Sequence, residues 1–425
     1  MGQPYFIFVL RNDLLNNRIV VNNMILNKKH LLRQTLDDKA LGCLVGGAVG
    51  DALGYAIEFE QWPYICNTYG GKGITRYELA SNGKALISDD TQMSLFTAAG
   101  ILLGQTRGFI RGIAGRIDTY CANSYIDWLH TQEWQEPQKN EHRCTWLMDV
   151  PELYARRAPG NTCLSALRSL ERCDEVHNNS CGCGGVMRTA PLAVFEYIHD
   201  YAGADLEHCA MTAAEAARLT HKHPLGFLPS AVLSLILMML MERDEVLPWL
   251  LIDVVESALE MLPSIKSEED GGKTYGELWP REVEILEKTI KKALSLASSD
   301  IPDYAAIERI GGGWTGHEAL AIAVYSAVKH WQSFEDAIVS SVNHSGDSDS
   351  TGAICGNIMG TYLGRASIPE YYTDNLELIN VIEEMAEDLY TGCIIREYMD
   401  RDTPETQRWF EKYCLFKWTP KCSNN

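Results

Sequence analysis

Glycine recurs at every fourth position in two separate stretches. One is "LGCLVGGAVGDALG", with Gly42, Gly46, Gly50 and Gly54; the other is "TGAICGNIMGTYLG", with Gly352, Gly356, Gly360 and Gly364. A step of four keeps residues on one face of an α-helix, yet each glycine costs a helix roughly 1 kcal/mol against alanine. A helix stripped bare along one side recovers that cost where another backbone comes close. The spacing therefore predicts tight packing of the helix after residue 347 against its neighbours, with the 42–54 stripe as a candidate partner.

The main part of the chain reads as all-α. Leu95, Phe96, Ala99, Leu102 and Leu103 share one face of a helix beginning near Asp89, and "HCAMTAAEAARLTH", "REVEILEKTIKKALSLA" and "GHEALAIAVYSAVKHW" repeat the pattern. Pro159-Gly160, Pro191, Pro224, Asp270-Gly271-Gly272 and Gly311-Gly312-Gly313 break them. Alternating βαβ units are absent, which argues against a doubly wound sheet. The apolar run 225–241 contains Pro229 and falls short of the ~20 residues of a membrane span, so it predicts a buried helix. The charged stretch 264–303 predicts a solvated helix with loops. Residues 1–37 stand apart: "YFIFVL" and "RIVVNNMIL" are β-prone. The chain thus divides into an extension over 1–37, a short hairpin, and one domain over 38–425.

A net charge of −20 offers no basic field for nucleic acid or an anionic membrane, and 46% apolar residues are enough for a sizeable core. The thirteen cysteines include no CxxC pair, so zinc is disfavoured and most are expected to be buried thiols in a reducing compartment. "MGQPYFIFVLRND" has neither the basic leader nor the cleavage site of a signal peptide. A cytoplasmic location is the expectation.

The chemistry lies in two acidic knots, each opening a helix. Ser88-Asp89-Asp90-Thr91 precedes one, and Asp347-Ser348-Asp349-Ser350-Thr351 precedes the second glycine stripe. Either alone reads as a helix N-cap. Together, Ser88, Asp89, Asp90, Asp347, Asp349 and Ser350 form an all-oxygen set whose carboxylates would repel unless cations neutralised them. Hard, oxygen-seeking Mg²⁺ or Mn²⁺ suits such donors. Glu58 extends the first stripe by one more helical step, towards the interior, whereas Asp51 is placed to satisfy a loop or a cap. An EF-hand starting at Asp347 fails, because Ile358 holds the position that requires Glu. The string also fits DxDxT, the signature of an aspartyl-phosphate phosphatase. That reading is the weaker, because the motif should end a strand and "GAICGNIMGTYLG" reads as helix. "NNSCGCGGVMRTAPL" is a glycine-rich turn whose N–H groups could cradle a diphosphate. In "LTHKHP", polar contacts or capping outrank a metal role for the histidines.

In order, "GCLVGGAVGDALG", "SDDTQM", "APGNT", "GCGGVMRTAPL", "LTHKHP", "GGGWTGHEAL" and "GDSDSTGAICGNIMG" resemble the ADP-ribosylglycohydrolase family over roughly residues 39–365. That family includes ADP-ribosylarginine hydrolases and dinitrogenase-reductase-activating glycohydrolases. The resemblance implies a compact orthogonal helical domain with two Mg²⁺ (Mn²⁺ possible) in a central cleft. By motif position, Ser88, Asp89 and Asp90 match one ligand group, and Asp347, Asp349 and Ser350 match the other. Asp90, Asp347, Asp349 and Glu58 correspond to the catalytic carboxylates. Gly182, Gly184, Gly185, Val186, Met187 and Arg188, with His221, match the segments lining the ADP-ribose site. The implied reaction is hydrolysis of the N-glycosidic bond of a mono-ADP-ribosylated protein substrate, and "GDSDST" resembles the arginine-directed members. Some members serve as immunity proteins against ADP-ribosyltransferase toxins. An alternative, compatible with hydrolysis, is that the 1–37 extension binds and blocks a cognate toxin.

Overall fold

In a computed structural model of the protein, the described residues are 36–112, 115–136, 143–199, 205–243, 245–395 and 403–414. The hairpin expected in the extension lies outside them. Seven helices carry the argument: α1 (Leu36–Tyr55), α2 (Asp89–Arg111), α3 (Ile117–Glu133), α4 (Leu206–Arg218), α5 (Pro224–Met241), α6 (Gly316–Lys329) and α7 (Ser348–Leu363). The fold is all-α. Strand pairing among the described residues is limited to isolated bridges at Ala85–Leu376, Gly182–Thr315 and Lys266–Thr274. Leu36 and Asp37, assigned by composition to the extension, are the first turn of α1.

The two glycine stripes face each other. A Cβ on Gly42 would stand 2.2 Å from the carbonyl oxygen of Gly360, on Gly46 2.4 Å from that of Gly356, and on Gly50 1.9 Å from that of Gly352. On Gly54 it would meet the Ser348 carbonyl at 2.2 Å. One series rises as the other falls, so α1 and α7 run antiparallel in backbone contact. Ser348, not Gly364, closes the second series: Gly364 caps the end of α7 with φ 81°. From the same interface Asn357 donates its Nδ2 to the Cys43 carbonyl at 2.8 Å.

α5 is long and apolar enough to cross a membrane by length and composition, but 94% of that window is buried inside the protein. Its last turn is fixed by a cation from α1. Lys39 is 1% exposed, and its Nζ donates to the carbonyls of Leu240 (2.8 Å) and Met241 (3.4 Å). The charge therefore sits at the negative end of the helix dipole. In the charged stretch 264–303, the helix Pro280–Ala297 buries Val283, Leu286, Ile290 and Ala293 and gives its other faces to solvent. Cys43, Cys121, Cys144, Cys163, Cys209, Cys355 and Cys393 are buried free thiols, and Cys173 alone among the described cysteines is in a disulfide.

Candidate active site

Because α1 and α7 are antiparallel, the C-terminal end of the α1 stripe lies beside the N-terminus of α7. That places Asp51 and the turn after Tyr55 next to Asp347–Ser350. The N-terminus of α2 completes the site, and Asp51 holds it there. Buried at 0% exposure, this carboxylate accepts the Ser88 N–H at Oδ1 (3.0 Å) and the Thr91 N–H at Oδ2 (3.1 Å), and the Thr91 hydroxyl as well. Two N–H groups at the mouth of α2 are thus satisfied from a different helix, where no intrahelical partner exists. Ser88 caps the helix itself, its Oγ accepting the Asp90 N–H at 3.2 Å. Asp89 turns aside to accept the Gly160 N–H at 3.2 Å.

At the other knot, Asp347 is the N-cap of α7. One oxygen accepts the Ser350 N–H at 3.3 Å, and the other accepts the Cys183 thiol at 2.8 Å. Thr351 closes the turn, its hydroxyl donating to the Asp347 carbonyl at 2.9 Å. A helix cap is not the end of a strand, so the DxDxT phosphatase reading is corrected here. The knots face each other across the site, Ser350 beside Asp90, so the carboxylates of each act on those of the other. Glu58 is an electrostatic neighbour of Asp349, its charge among those that raise that carboxyl.

Glu58 arrives by a route other than the expected one. α1 ends at Tyr55, and the chain tightens so that the Ile57 N–H meets the Gly54 carbonyl at 2.9 Å and Phe59 takes φ 70°. The stripe's last close approach to α7 is at Gly54, beside Ser348. The carboxylate enters the site from this turn instead.

Six carboxylates thus share one mostly dry volume. Burial, reinforced by Asp51 and Asp347, raises Asp89 to about 8 against the bond from Gly160. Burial and the charges of Asp347, Asp89 and Asp51 raise Glu58 to about 8. Burial also pushes Asp90 and Asp349 well above the carboxylate range, each further raised by the other knot. Asp51 reaches about 6, because its many donors oppose burial. Two oxygens, Asp90 Oδ2 and Glu58 Oε2, are buried without any hydrogen-bond partner. An unpaired buried acceptor costs about 1–3 kcal/mol, and a divalent cation is a partner that satisfies it. The donors are all hard oxygens, so the residues fit Mg²⁺ or Mn²⁺. Their spacing is open: the trio that brings one oxygen each within 4.8 Å lies elsewhere, at Asp118, Glu215 and Glu269.

The glycine-rich turn is a 3₁₀ segment, Cys183–Arg188. It is pinned to the loop before α6, because the Cys183 N–H donates to the Trp314 carbonyl at 3.2 Å. Gly182 and Gly184 leave room for the His221 ring, 3.3 Å and 3.0 Å from where their Cβ atoms would be. Burial, helped by Arg188, lowers His221 to about 3, so the ring is neutral. Arg188 is 0% exposed. It donates to the Thr220 hydroxyl at 2.6 Å and the Ala216 carbonyl at 3.3 Å, and its guanidinium lies 4.5 Å from the Tyr125 ring centroid. Of the turn residues matched to the ADP-ribose site, Val186, Met187 and Gly185 are also buried. Arg188 and His221 therefore hold the turn from behind. His223 caps α5, accepting the Leu225 N–H at 3.1 Å.

Two features carry no acidic signature and escape a search for carboxylates. Cys183 lies between two glycines of the turn, and its thiol is what reaches Asp347. Phe59 and Trp314, 63% and 44% exposed, stack at 5.5 Å with their planes 17° apart. They border Glu58 and the Gly311–Gly313 loop, whose Gly312 carbonyl accepts the Asp347 N–H at 2.9 Å.

The family model for ADP-ribosylglycohydrolase matches residues 32–397. The chain belongs to the ADP-ribosylglycohydrolase family. It is 27% identical over 394 residues to the ADP-ribosylhydrolase ARH1 of Dictyostelium discoideum, covering 80% of this chain and 91% of that one. It is 29% identical over 203 residues to the ADP-ribosyl-[dinitrogen reductase] glycohydrolase of Rhodospirillum rubrum, covering 45% and 54%. A solved structure described as an ADP-ribosylglycohydrolase-related protein complex shares the fold, with TM-score 0.52 and 21% identity over 84% of this chain and 98% of that one. Membership of the ADP-ribosylglycohydrolases supports hydrolysis of ADP-ribose linkages.

Proposed function

We propose that this ADP-ribosylglycohydrolase removes ADP-ribose from arginine side chains of mono-ADP-ribosylated protein, using two Mg²⁺ for which Mn²⁺ can substitute. The observation that carries this reading is the meeting of two acidic helix N-termini around buried oxygens that lack partners. Ser88, Asp89, Asp90, Asp347, Asp349 and Ser350 would hold the cations. When bound, these supply charge neutralisation and Lewis acidity towards ribose hydroxyls and a water.

The remaining tasks fall to the chain itself. Asp51 fixes the α2 turn, so Asp89 and Asp90 keep their positions as charge enters the site. Glu58 carries its proton up to about pH 8 in the metal-free protein, and it stands at the rim beside Asp349. It can hold a proton for the departing guanidine nitrogen or receive one from the attacking water. The transition state has oxocarbenium character at C1″, as in other glycoside cleavages, and a carboxylate-rich cleft favours developing positive charge. Backbone N–H groups of the Gly182–Arg188 turn suit the diphosphate, and Arg188 and His221 hold that turn rigid. The arginine linkage rests on the "GDSDST" resemblance, and a protein substrate accords with the name of the Rhodospirillum rubrum relative.

The test is release of free ADP-ribose from an arginine-ADP-ribosylated protein with Mg²⁺, against EDTA and Asp347→Ala/Asp349→Ala controls. A serine-ADP-ribosylated peptide run in parallel reads the linkage. Mg²⁺-dependent release from arginine alone is the expected result; no release above the double variant would overturn the reading.

A further inference from the structure

We infer that the protein has a second cation site, separate from the aspartate knots, where Asp118, Glu215 and Glu269 hold a divalent ion of the Ca²⁺ class. One oxygen from each of the three lies within 4.8 Å of the others. They come from three separate segments: the first turn of α3, the last turn of α4, and the loop closed by the Lys266–Thr274 bridge. An ion there would tie that loop to two core helices.

The second observation is the state of Glu215. It is 6% exposed, and its Oε1 is buried with no hydrogen-bond partner. Its Oε2 is taken by Arg116. Arg116 also grips Asp118 through paired contacts of 3.1 Å, and reaches Glu268 at 3.2 Å. Arg218 takes Glu269 through Oε2 at 3.2 Å and Asp270 at 2.6 Å. Two guanidinium groups therefore serve Asp118, Glu215, Glu268, Glu269 and Asp270, with Lys222 and Lys273 as the further cations in electrostatic reach. Burial raises Glu215 to about 7 despite the attraction of Arg116, with Glu269, Asp118 and Glu268 adding to the rise. Each carboxylate oxygen has a second lone pair, so an ion can take the unpartnered Oε1 of Glu215 and share oxygens of Asp118 and Glu269 with the arginines.

The ligand class follows from the donors. Carboxylates on three mobile-length side chains, one partly open to water, give the irregular all-oxygen shell that Ca²⁺ tolerates and Mg²⁺ does not. The aromatic neighbours supply a reporter, because Tyr275 feels the Glu215 charge and the Trp279 ring lies 5.4 Å from the Arg218 guanidinium. A lanthanide bound in place of Ca²⁺ would be excited through them.

The experiment uses the full chain carrying Asp90→Asn, Asp347→Asn and Asp349→Asn, which disables both knots as competitors and makes the result independent of the proposed hydrolysis. Tb³⁺ is titrated while aromatic-sensitised luminescence is read, and Ca²⁺ is then used to displace it. The expected result is one Ca²⁺-displaceable equivalent, weakened about tenfold or more by Glu269→Gln. Glu269 is half exposed, so that change should leave the fold intact. A rise in melting temperature with Ca²⁺, lost in Glu269→Gln, is the second readout. No displaceable luminescence, or binding indifferent to Glu269→Gln, would mean that Arg116 and Arg218 alone serve these carboxylates and would overturn the inference.

Discussion

Asp51 is the residue on which the geometry of the first knot turns. Its oxygens accept the Ser88 and Thr91 N–H groups and the Thr91 hydroxyl from inside the core, a set an amide cannot fully reproduce because one of its two heads is a donor. Asp51→Asn is expected to weaken Mn²⁺ binding by about 10–100-fold, the cost of losing a residue that orients ligands. Titration followed by electron paramagnetic resonance reads it, and circular dichroism checks the fold. The knot carboxylates themselves make a pH prediction. Glu58 and Asp89 sit at about 8 in the folded protein, against about 4 when unfolded. The native state thus binds more protons between these values, and stability falls as pH rises through that window. The metal-free protein should melt highest near the lower edge of that window, at about pH 4, and lose melting temperature steadily towards pH 8. Saturating Mg²⁺ should flatten the dependence; a metal-free melting temperature that rises with pH would contradict it.

At the scale of elements, the α1–α7 contact is backbone on backbone, so it has nothing flexible to give. Gly50→Ala would set a Cβ 1.9 Å from the Gly352 carbonyl oxygen, and overpacking of that kind costs about 1–3 kcal/mol or more. Gly71 has open space around its missing Cβ and no left-handed φ, so Gly71→Ala should be neutral or stabilise by about 0.4–1 kcal/mol. Urea denaturation of the pair measures the contrast. The stripes were legible in the sequence because a four-residue period in glycine has few causes other than a close-packed helix. The acidic caps were legible because Ser or Asp before an apolar-periodic helix is itself a boundary signal. The helical step that leads to Glu58 is not taken, since α1 ends at Tyr55 and the chain turns through Ile57 and Phe59, where no proline or glycine marks a break. Arg188 enters by its place in the "GCGGVMRTAPL" motif, and nothing in that string shows that it is buried. Its burial depends on Tyr125 and Thr220, which are distant in sequence. The Asp118–Glu215–Glu269 trio had no linear pattern at all.

For the molecule as a whole, 57 acidic residues stand against 37 basic, and four of the acidic ones, Asp89, Asp90, Asp347 and Asp349, are turned inward at the two knots. The fold brings like charges together with a buried acceptor left open on each side of the site, at Asp90 and Glu58. Cation binding should therefore stabilise the whole chain by mass action. Stripping with EDTA is expected to lower the melting temperature of the wild type and leave that of Asp90→Asn/Asp349→Asn nearly unchanged, because neutral amides remove the repulsion the ion would relieve. The central claim, that the two knots form one binuclear centre, is tested most directly by Mn²⁺ electron paramagnetic resonance. A spin-coupled pair in the wild type, abolished by Asp90→Asn and by Asp349→Asn alike, is the result predicted. Only isolated, uncoupled Mn²⁺, or a coupled signal that survives either substitution, would contradict it.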